Sequence, residues 1–456
     1  MPPALALWIA LAFVFWLLRR DAASRPKLSA ALWIPQIWLL VRGSRQISFW
    51  FGGGIAANST ASYVEGSPID RLFAFALMGA ALFVLQRRRL DWGSLISRNK
   101  ALCVLFLYFG LSALWSDYTF VSFKRWIKEM GSVVILLVLL TESDPILAIK
   151  TVFVRCACVC FPLSIPLYKY YPAIGRAYGM GGGQQITGVT GQKNELGEIC
   201  AVFGLILLWE LLEIWKRKAK PKDRMGIYSR LVVLALGAWL LVACDSQTSL
   251  MCSIVGAGIL LSDRIPLLKR TPKLVVLFGL VVVPSLILGL MIYHVGNPIV
   301  ETLGRDMTFT GRTKIWELVL GLQANPLLGK GFYSFWLGDA AEKMWGEFST
   351  ITTAHSGYVE TYLDGGYVGV FVLVIALAVV GWKLAGEFLR GTMFGRVRFM
   401  FWVMAVMLNF SESSFFRLTP MWLAFLVMAL DVPQPAMVPS VVDADEVVVS
   451  KATVVA

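Results

Sequence analysis

Long apolar segments recur along almost the whole of this 456-residue chain, and they constrain its fold more than any other feature. The clearest runs from Leu274 to Tyr293, twenty residues without a charged side chain, which can cross about 30 Å of hydrocarbon as a helix. Charged residues make up only 16% of the chain, whereas soluble proteins carry roughly 25%. The pattern excludes a soluble globular enzyme, a disordered protein and a disulfide scaffold, and it predicts an all-α integral membrane protein.

Thirteen segments are candidate membrane spans, and we expect a polytopic helical bundle of about 12–13 spans. The segments are 4–18, 28–41, 69–86, 101–116, 126–141, 147–167, 195–215, 229–244, 246–262, 274–294, 356–382, 399–410 and 418–430. Arg19 and Arg20 follow the first apolar segment, whereas a cleavable signal peptide carries its positive charge ahead of the apolar core. We therefore expect this segment to remain as the first span, with the N-terminus outside.

The basic residues test this arrangement, because Lys and Arg concentrate in the cytoplasmic segments of membrane proteins. If the spans alternate from an outside N-terminus, the inner segments hold 26 Lys and Arg, the outer segments hold 15, and Arg155 lies within a span. The same bias explains the net charge of +13. The basic run 216–224 is therefore interpreted as a cytoplasmic anchor near anionic lipid, and no nucleic-acid partner is expected.

The outer segments differ in length, and the longest joins two strong spans. We divide the chain into an N-terminal transmembrane bundle (1–294), a large periplasmic loop (295–354), C-terminal spans (355–432) and a cytoplasmic tail expected to be disordered (433–456). Within the loop, the apolar residues Ile315, Leu318, Val319 and Leu322 share one helical face. This predicts an amphipathic helix over 313–325 that lies on the outer membrane surface.

Basic residues that fall outside oppose the topological bias, and most of them are interpreted as solvated loop charges. That interpretation is weakest for Arg305 and Arg312, which lie just ahead of the predicted amphipathic helix. Guanidinium groups at these positions could bind a phosphate through two parallel hydrogen bonds, and the N-terminus of the helix adds a favourable dipole. These two arginines are therefore candidates for binding an anionic substrate.

Several polar clusters fall on the same predicted face. His355, one of two histidines, begins the motif HSGYVETYLDGGYVG (355–369), where the large loop enters a span. An imidazole can act as a neutral base near neutral pH, although a lone histidine at a helix start is more often a solvent-facing one. The other clusters are SALWSDYTFVSFKRWIKE (112–129), GVTGQKNELGE (188–198), CDSQTSL (244–250) and NFSESSFFRL (409–418). Their convergence on one membrane surface suggests a site for an anionic lipid-linked substrate.

Metal and nucleotide motifs are missing from the sequence. It contains no G-x-G-x-x-G, Walker or HExxH pattern, and the seven cysteines lack the spacing of a zinc site. We interpret the cysteines as small core residues and expect neither a metal nor a cofactor.

The order of these motifs resembles the O-antigen ligase and polymerase superfamily, in particular its exopolysaccharide-production branch. The most specific stretch is GRTKIWELVLGLQANPLLGKGFYSFW followed by HSGYVETYLDGGYVG, within 311–369, while SALWS, GQKNELG and the TSL turn are supporting matches. The turn in this family often reads Ser-Lys-Thr, whereas Gln247 stands between Ser246 and Thr248 here. Any role of that lysine is lost or moved in this chain.

The resemblance implies a GT-C-like enzyme of the bacterial inner membrane with its active face in the periplasm. Such enzymes transfer glycan from an undecaprenyl-diphosphate carrier without a metal. The implied partners are an undecaprenyl-diphosphate-linked oligosaccharide, an acceptor glycan and membrane lipid, and the sequence leaves open whether a chain-length regulator or export proteins take part. Polymerase members join repeat units, whereas ligase members transfer the glycan to another acceptor such as lipid A core.

This chemistry assigns roles to the outer polar residues. In the expected reaction an acceptor hydroxyl attacks the anomeric carbon and the diphosphate leaves, so fixed cations should stabilise the transition state. The first candidates are Arg312 and Arg305, and the second are Arg125, Lys193 and Arg176. The candidate base is His355, with Glu360 or Glu412 as alternatives.

Two other functions stay open at this stage. A ligase would use the same donor site as a polymerase. A non-enzymatic flippase or transporter should show charged residues at mid-span or paired broken helices, and Arg155 is the only basic residue deep in a predicted span.

Overall fold

The computed structural model describes residues 1–25, 28–51, 66–178, 182–216, 224–293, 309–323, 325–348 and 351–433. Within these ranges the regular structure is helical except for one short antiparallel hairpin of β1 (Arg176–Tyr178) and β2 (Gln184–Ile186), in which Ala177 pairs with Gln185. The prediction of an all-α polytopic membrane protein is confirmed. The predicted C-terminal tail lies outside the described residues from position 434 onward.

The first half of the chain contributes ten helices to the described residues. They are α1 (Pro3–Ser24), α2 (Trp33–Arg42), α3 (Ile47–Trp50), α4 (Pro68–Arg87), α5 (Trp92–Arg98), α6 (Lys100–Leu111), α7 (Thr119–Leu140), α8 (Pro145–Tyr170), α9 (Pro172–Gly175) and α10 (Lys193–Lys216). Two short 3₁₀ helices, Ala30–Leu32 and Ser112–Trp115, adjoin α2 and α6.

The second half continues the series. Its helices are α11 (Arg224–Ala243), α12 (Gln247–Leu260), α13 (Pro266–Arg270), α14 (Pro272–Leu277), α15 (Val283–Tyr293), α16 (Phe309–Gly321), α17 (Asp339–Phe348), α18 (Gly357–Leu389), α19 (Met393–Ser411) and α20 (Pro420–Ala429). A π-helical turn, Phe278–Val282, joins α14 to α15, and a 3₁₀ turn, Ser262–Arg264, follows α12.

Local sequence explains where several of these helices begin. Proline occupies the first turn of α1, α4, α8 and α20, where its missing N–H leaves no hydrogen bond unmade. Side chains ahead of α8, α18, α19 and α20 accept a hydrogen bond from a backbone N–H of the first turn. These N-cap residues are Asp144, Ser356, Thr392 and Thr419.

Seven helical segments of the described chain are long and apolar enough to cross a membrane. They are α1, α4, α8, α11, Pro272–Met291, α18 and α19, and the bent pair of α5 with Lys100–Trp115 adds an eighth candidate. The other predicted spans fall on the shorter apolar helices Ala30–Arg42, Gln247–Leu260 and Pro420–Ala429, and on α7 and α10, which carry charged residues near their ends.

Burial separates the central helices from the peripheral ones. In α8 and α19, 72% of the most apolar window is buried inside the protein, against 22% or less in α1, α4 and α11. The peripheral helices therefore present apolar side chains outward, as lipid-facing helices do. Six of the seven cysteines are buried in the core and all are unpaired thiols, in agreement with their interpretation as core residues.

The predicted outer segments meet at one end of the bundle. Arg42 at the end of α2 donates to the carbonyl of Leu418, and Lys193 at the start of α10 reaches the carbonyl of Asp245 before α12. Ion pairs join the opposite helix ends. They are Arg88–Glu142, Lys216–Asp263 and Lys383–Asp431. Each of these contacts therefore joins residues that the predicted alternation of the helices places on the same face.

Arg155 has partners inside the bundle. Its Nε lies 2.7 Å from the Asp21 carboxylate, which also pairs with Arg25 and Arg230. Glu210 completes this network by pairing with Arg25 and Arg230. The charge within the span is therefore compensated by neighbouring helices, and the network ties α1, α8, α10 and α11 together.

Two adjacent glycines let the large loop dock on the bundle. Gly366 interrupts the helical geometry of α18 with φ 61°, and a Cβ there would lie 2.3 Å from the carbonyl carbon of Leu327. The opened backbone accepts hydrogen bonds from the loop, since the N–H groups of Lys330 and Gly331 donate to Leu363 and Asp364 at 2.9 Å. The motif DGG therefore forms a seam between the loop and the span.

The predicted amphipathic helix exists, but its apolar face is turned inward. Helix α16 spans Phe309–Gly321 rather than 313–325. Ile315 and Val319 are buried against a cluster that includes Phe335, Trp336 and Leu363. The expectation that this face lies on the lipid surface is therefore wrong, because aromatic residues of the same loop cover it.

Candidate functional site

Glu412 occupies the centre of the candidate site. It follows the last residue of α19, where its N–H donates to the carbonyl of Leu408 and its own carbonyl accepts from the N–H of Gly357. Two backbone hydrogen bonds thus fix the residue between the end of α19 and the start of α18. Its side chain is 14% exposed, so the carboxylate is held near the surface of the bundle end without being freely solvated.

Three side chains from three different motifs surround this carboxylate. The Arg312 Nη2 lies 2.8 Å from Glu412 Oε1, and the Asn194 amide donates to the same oxygen at 2.7 Å. The His355 Nδ1 lies 3.9 Å from Glu412 Oε2. We call Asn194, Arg312, His355 and Glu412 the outer cluster. It unites a cation, a potential base and a carboxylate at one point.

The backbone of His355 is held in an unusual conformation. Its φ of 51° lies in the left-handed region, which costs a residue other than glycine roughly 1–2 kcal/mol. The N-cap bond of Ser356 and the docked loop hold it there. This conformation brings the imidazole, 31% exposed, beside Glu412. A carboxylate next to an imidazole can orient the ring and stabilise its protonated form.

The turn between α11 and α12 adds a second layer. The hydroxyls of Thr248 and Ser411 lie 2.6 Å apart, which joins this turn to the residue before Glu412. Lys193 lies next to Asn194 in the chain, but its ammonium group is directed to Asp245, 3.7 Å from the carboxylate. Lys193 therefore lies at the edge of the outer cluster rather than on Glu412.

Glu360 has a different environment from the one that a general base would need. It is 2% exposed, and its oxygens accept from the Trp336 indole at 3.0 and 3.1 Å, from the N–H of Ala354 and from Arg417. The hydrogen bond from the N–H of Ala354 to Glu360 thus holds the residue before His355 in place. Among the described residues it shares no hydrogen bond with the outer cluster, so its geometry supports positioning of the cluster.

The other predicted phosphate-binding residues are dispersed. Arg125 donates to the carbonyl of Tyr333 at 2.9 Å, and Arg176 donates to that of Tyr168 at 2.8 Å. Arg305 lies outside the described residues. Of the five cations predicted to bind diphosphate, the structure brings Arg312 to the outer cluster.

A cavity of about 830 Å³ is lined in part by the 417–420 segment and by the start of α10. We call it the cationic cavity, since it is lined by the cations Arg42, Arg45, Arg71, Lys124, Arg125, Lys128 and Arg417 and by the carboxylates Asp70, Glu129, Glu195 and Glu198. Partial burial lowers the pKa of the Arg45 guanidinium, and the nearby Glu195 opposes that shift. The sequence places these cations outside, but it gives no sign that they share one cavity.

No group of three His, Cys, Asp or Glu side chains with the geometry of a metal site occurs in the described ranges.

Comparison with known proteins matches this architecture to a family. Residues 232–374 match the family model described as O-antigen ligase, and this range contains Arg312, His355 and Glu360. The chain is also 24% identical over 277 residues to the exopolysaccharide production protein ExoQ of Rhizobium meliloti (strain 1021). That match covers 59% of this chain and 61% of the relative, so the chain spans about three fifths of the relative's length. The resemblance to the exopolysaccharide branch of the O-antigen ligase superfamily is confirmed.

Proposed function

We propose that this protein is a glycosyltransferase that polymerises undecaprenyl-diphosphate-linked repeat units into exopolysaccharide at the periplasmic face of the inner membrane. The observation that carries the proposal is the meeting of Arg312, His355 and Glu412 at one end of the bundle. The family match and the similarity to an exopolysaccharide production protein support the substrate class.

The proposed reaction forms one bond and breaks another at the same carbon. An acceptor hydroxyl oxygen attacks the anomeric carbon of the donor glycan, and the bond from that carbon to the diphosphate oxygen breaks. His355 takes the hydroxyl proton, and undecaprenyl diphosphate departs as an anion. Glu412 faces His355 and stabilises the imidazolium that forms.

Arg312 stabilises the leaving group in this mechanism. A guanidinium has five N–H donors in a planar fork, and Glu412 occupies one edge of it at 2.8 Å. The developing charge on the diphosphate is met by a cation that is already in position, so little reorganisation is needed during the reaction. Asn194 keeps the Glu412 carboxylate in place during that step.

Substitution of the two reacting side chains tests the proposal. Polymer formation is measured with purified protein in proteoliposomes and a lipid-linked repeat unit. We expect Arg312→Ala to lower turnover roughly 10²–10³-fold and His355→Ala roughly 10²–10⁴-fold. Arg312→Lys keeps the charge but loses the fork, so it should retain only partial activity. Lys314→Ala, an exposed cation on the same helix, is the matched control. Wild-type turnover in both alanine variants would refute the proposal.

A ligase function is the second candidate, and the match of residues 232–374 to the O-antigen ligase family favours it. The donor chemistry would be identical, and only the acceptor would differ. The product of the same assay separates the two functions. A polymerase yields a longer glycan on the lipid carrier, whereas a ligase yields a glycan attached to a different molecule.

A further inference from the structure

The cationic cavity is distinct from the outer cluster. None of Asn194, Arg312, His355 and Glu412 lines it, whereas the 417–420 segment forms part of its wall. The two sites are nevertheless neighbours, because Asn194 of the outer cluster is followed directly by Glu195 of the cavity wall.

Three cations of the cavity wall, Arg42, Arg45 and Lys128, have no carboxylate at ion-pair distance among the described residues. Arg42 donates to the carbonyl of Leu418 at 3.1 Å, and Arg45 donates to the carbonyls of Thr190 and Ile174. In the part of the chain that the structure describes, no carboxylate lies within 4.0 Å of the cationic groups of Arg42, Arg45 or Lys128. Carbonyls satisfy N–H groups, but they do not neutralise a formal charge, so the wall favours an anion.

The carboxylates of the wall are held by uncharged donors. Asp70 accepts from the backbone and hydroxyl of Ser48, and Glu195 accepts from the N–H groups of Gly191 and Gln192. Charges of both signs are thus kept in place separately. Such a wall matches a ligand that carries both an anionic group and hydroxyl donors.

Glu129 supplies an independent sign of a ligand. It is 1% exposed, and its Oε2 accepts from the Trp422 indole at 3.3 Å. Its Oε1 is buried and makes no hydrogen bond among the described residues. A buried acceptor without a donor is costly, and a hydroxyl donor from a bound molecule would satisfy it.

We propose that the cationic cavity binds a second phosphate-bearing glycan, with its phosphate or diphosphate at Arg42, Arg45 and Lys128 and its sugar hydroxyls at the carboxylates. The volume of about 830 Å³ falls within the range of small-molecule sites, about 300–1,000 Å³. This inference rests on the proposed function, because a polymerase that joins two carrier-linked glycans holds two diphosphate groups at once. One lies at Arg312 and the other in the cationic cavity.

Binding stoichiometry tests the inference directly. The full-length protein in phosphatidylcholine nanodiscs is titrated with undecaprenyl diphosphate. We expect two equivalents for the wild type, and the loss of one equivalent in Arg42→Gln combined with Lys128→Gln, whose site should weaken by roughly tenfold or more. Arg312→Gln should lose the other equivalent. Lys343→Gln, an exposed cation of the outer loop, is the control and should keep both.

Two further probes identify the source of the bound group. Inorganic pyrophosphate tests whether a free phosphate group binds, and undecaprenol tests whether the lipid binds without phosphate. Competition by pyrophosphate at both sites supports recognition of the phosphate group alone, whereas two equivalents of the lipid diphosphate without competition support recognition of the carrier headgroup. Equal binding of undecaprenol overturns the inference, because phosphate would then be irrelevant.

The possible failures are distinguishable. If the wild type binds one equivalent of undecaprenyl diphosphate, and Arg312→Gln abolishes that binding while the double variant retains it, the second site is overturned. The proposed function then stands. If the wild type binds one equivalent and only the double variant abolishes that binding, the assignment of a donor diphosphate to Arg312 is overturned. Lys128→Arg with Arg42→Lys retains both charges and should retain two equivalents. If Lys128→Arg with Arg42→Lys also loses one equivalent, and its melting temperature is unchanged, the inference is overturned.

Discussion

The Arg312 guanidinium lies 2.8 Å from the Glu412 carboxylate, although the two residues are 100 positions apart. This pair partly neutralises the Arg312 guanidinium. In the proposed reaction, a diphosphate bound at Arg312 shares the guanidinium with Glu412, and its departure restores the pair. In that proposal, Glu412 links the cation that stabilises the leaving group with the imidazole that accepts the proton.

Glu412→Gln should remove the negative charge at this position while it keeps the size and shape of the side chain. The amide still fits, but His355 and Arg312 lose their anionic partner. We expect turnover to fall roughly 10²-fold with little rise in KM, since an interaction of the transition state is removed. Glu317→Gln, an exposed carboxylate on α16, is the control. Unchanged turnover in Glu412→Gln would show that this carboxylate has no part in the reaction.

Asn194 offers a test of electrostatics within the outer cluster. Its amide donates to Glu412 at 2.7 Å. Asn194→Asp places a second carboxylate there, and repulsion between like charges should lower turnover well below that of Asn194→Ala. Initial rates of polymer formation at equal protein level measure the difference. Equal rates in the two variants would mean that this contact is only structural.

Gly366→Ala should disturb the docked loop. The residue has φ 61°, and an added Cβ would lie 2.3 Å from backbone atoms of Leu327. We expect a loss of roughly 2 kcal/mol or more in stability, measured as a lower melting temperature in detergent. Gly386→Ala in the same helix meets nothing within 4 Å and should be neutral or slightly stabilising. Equal melting temperatures of the two variants would contradict the assigned role of the seam.

Asp21→Asn should destabilise the bundle without touching the outer cluster. Asp21 pairs with Arg25, Arg155 and Arg230. Its loss leaves Glu210 to pair with Arg25 and Arg230 and removes the carboxylate that pairs with Arg155. Breaking a buried ion pair by removing one partner costs about 3–5 kcal/mol. Thermal unfolding compares this variant with Arg19→Gln, which changes an exposed charge on the same helix. A melting temperature equal to that of the wild type would exclude a structural role of the network.

The sequence predicted the class of fold and the end of the bundle at which each motif lies. Apolar length indicated the spans, and the distribution of Lys and Arg indicated their alternation. It therefore placed Asn194, Arg312, His355 and Glu412 on one face before any contact was known. It also supplied the family resemblance that the comparison over 232–374 confirmed.

The same reasoning could not assign partners within that face. Glu360 and Glu412 were equivalent as alternative bases, and only the structure shows that one is buried against Trp336 while the other faces Arg312 and His355. Lys193 and Arg176 satisfied the same criteria as Arg312, but they contact other groups. Charge and helical periodicity are identical for these candidates, so neither could separate them.

What the sequence by itself determined is the all-α, membrane-spanning class of the fold, because the apolar length of each segment is a local property. What only the tertiary structure decided is which side chains meet. Asn194 and Glu412 are 218 positions apart, and the inward face of α16 depends on aromatic residues that follow it. Such contacts depend on how the helices pack, and helical periodicity carries no information about the partner that a face will meet.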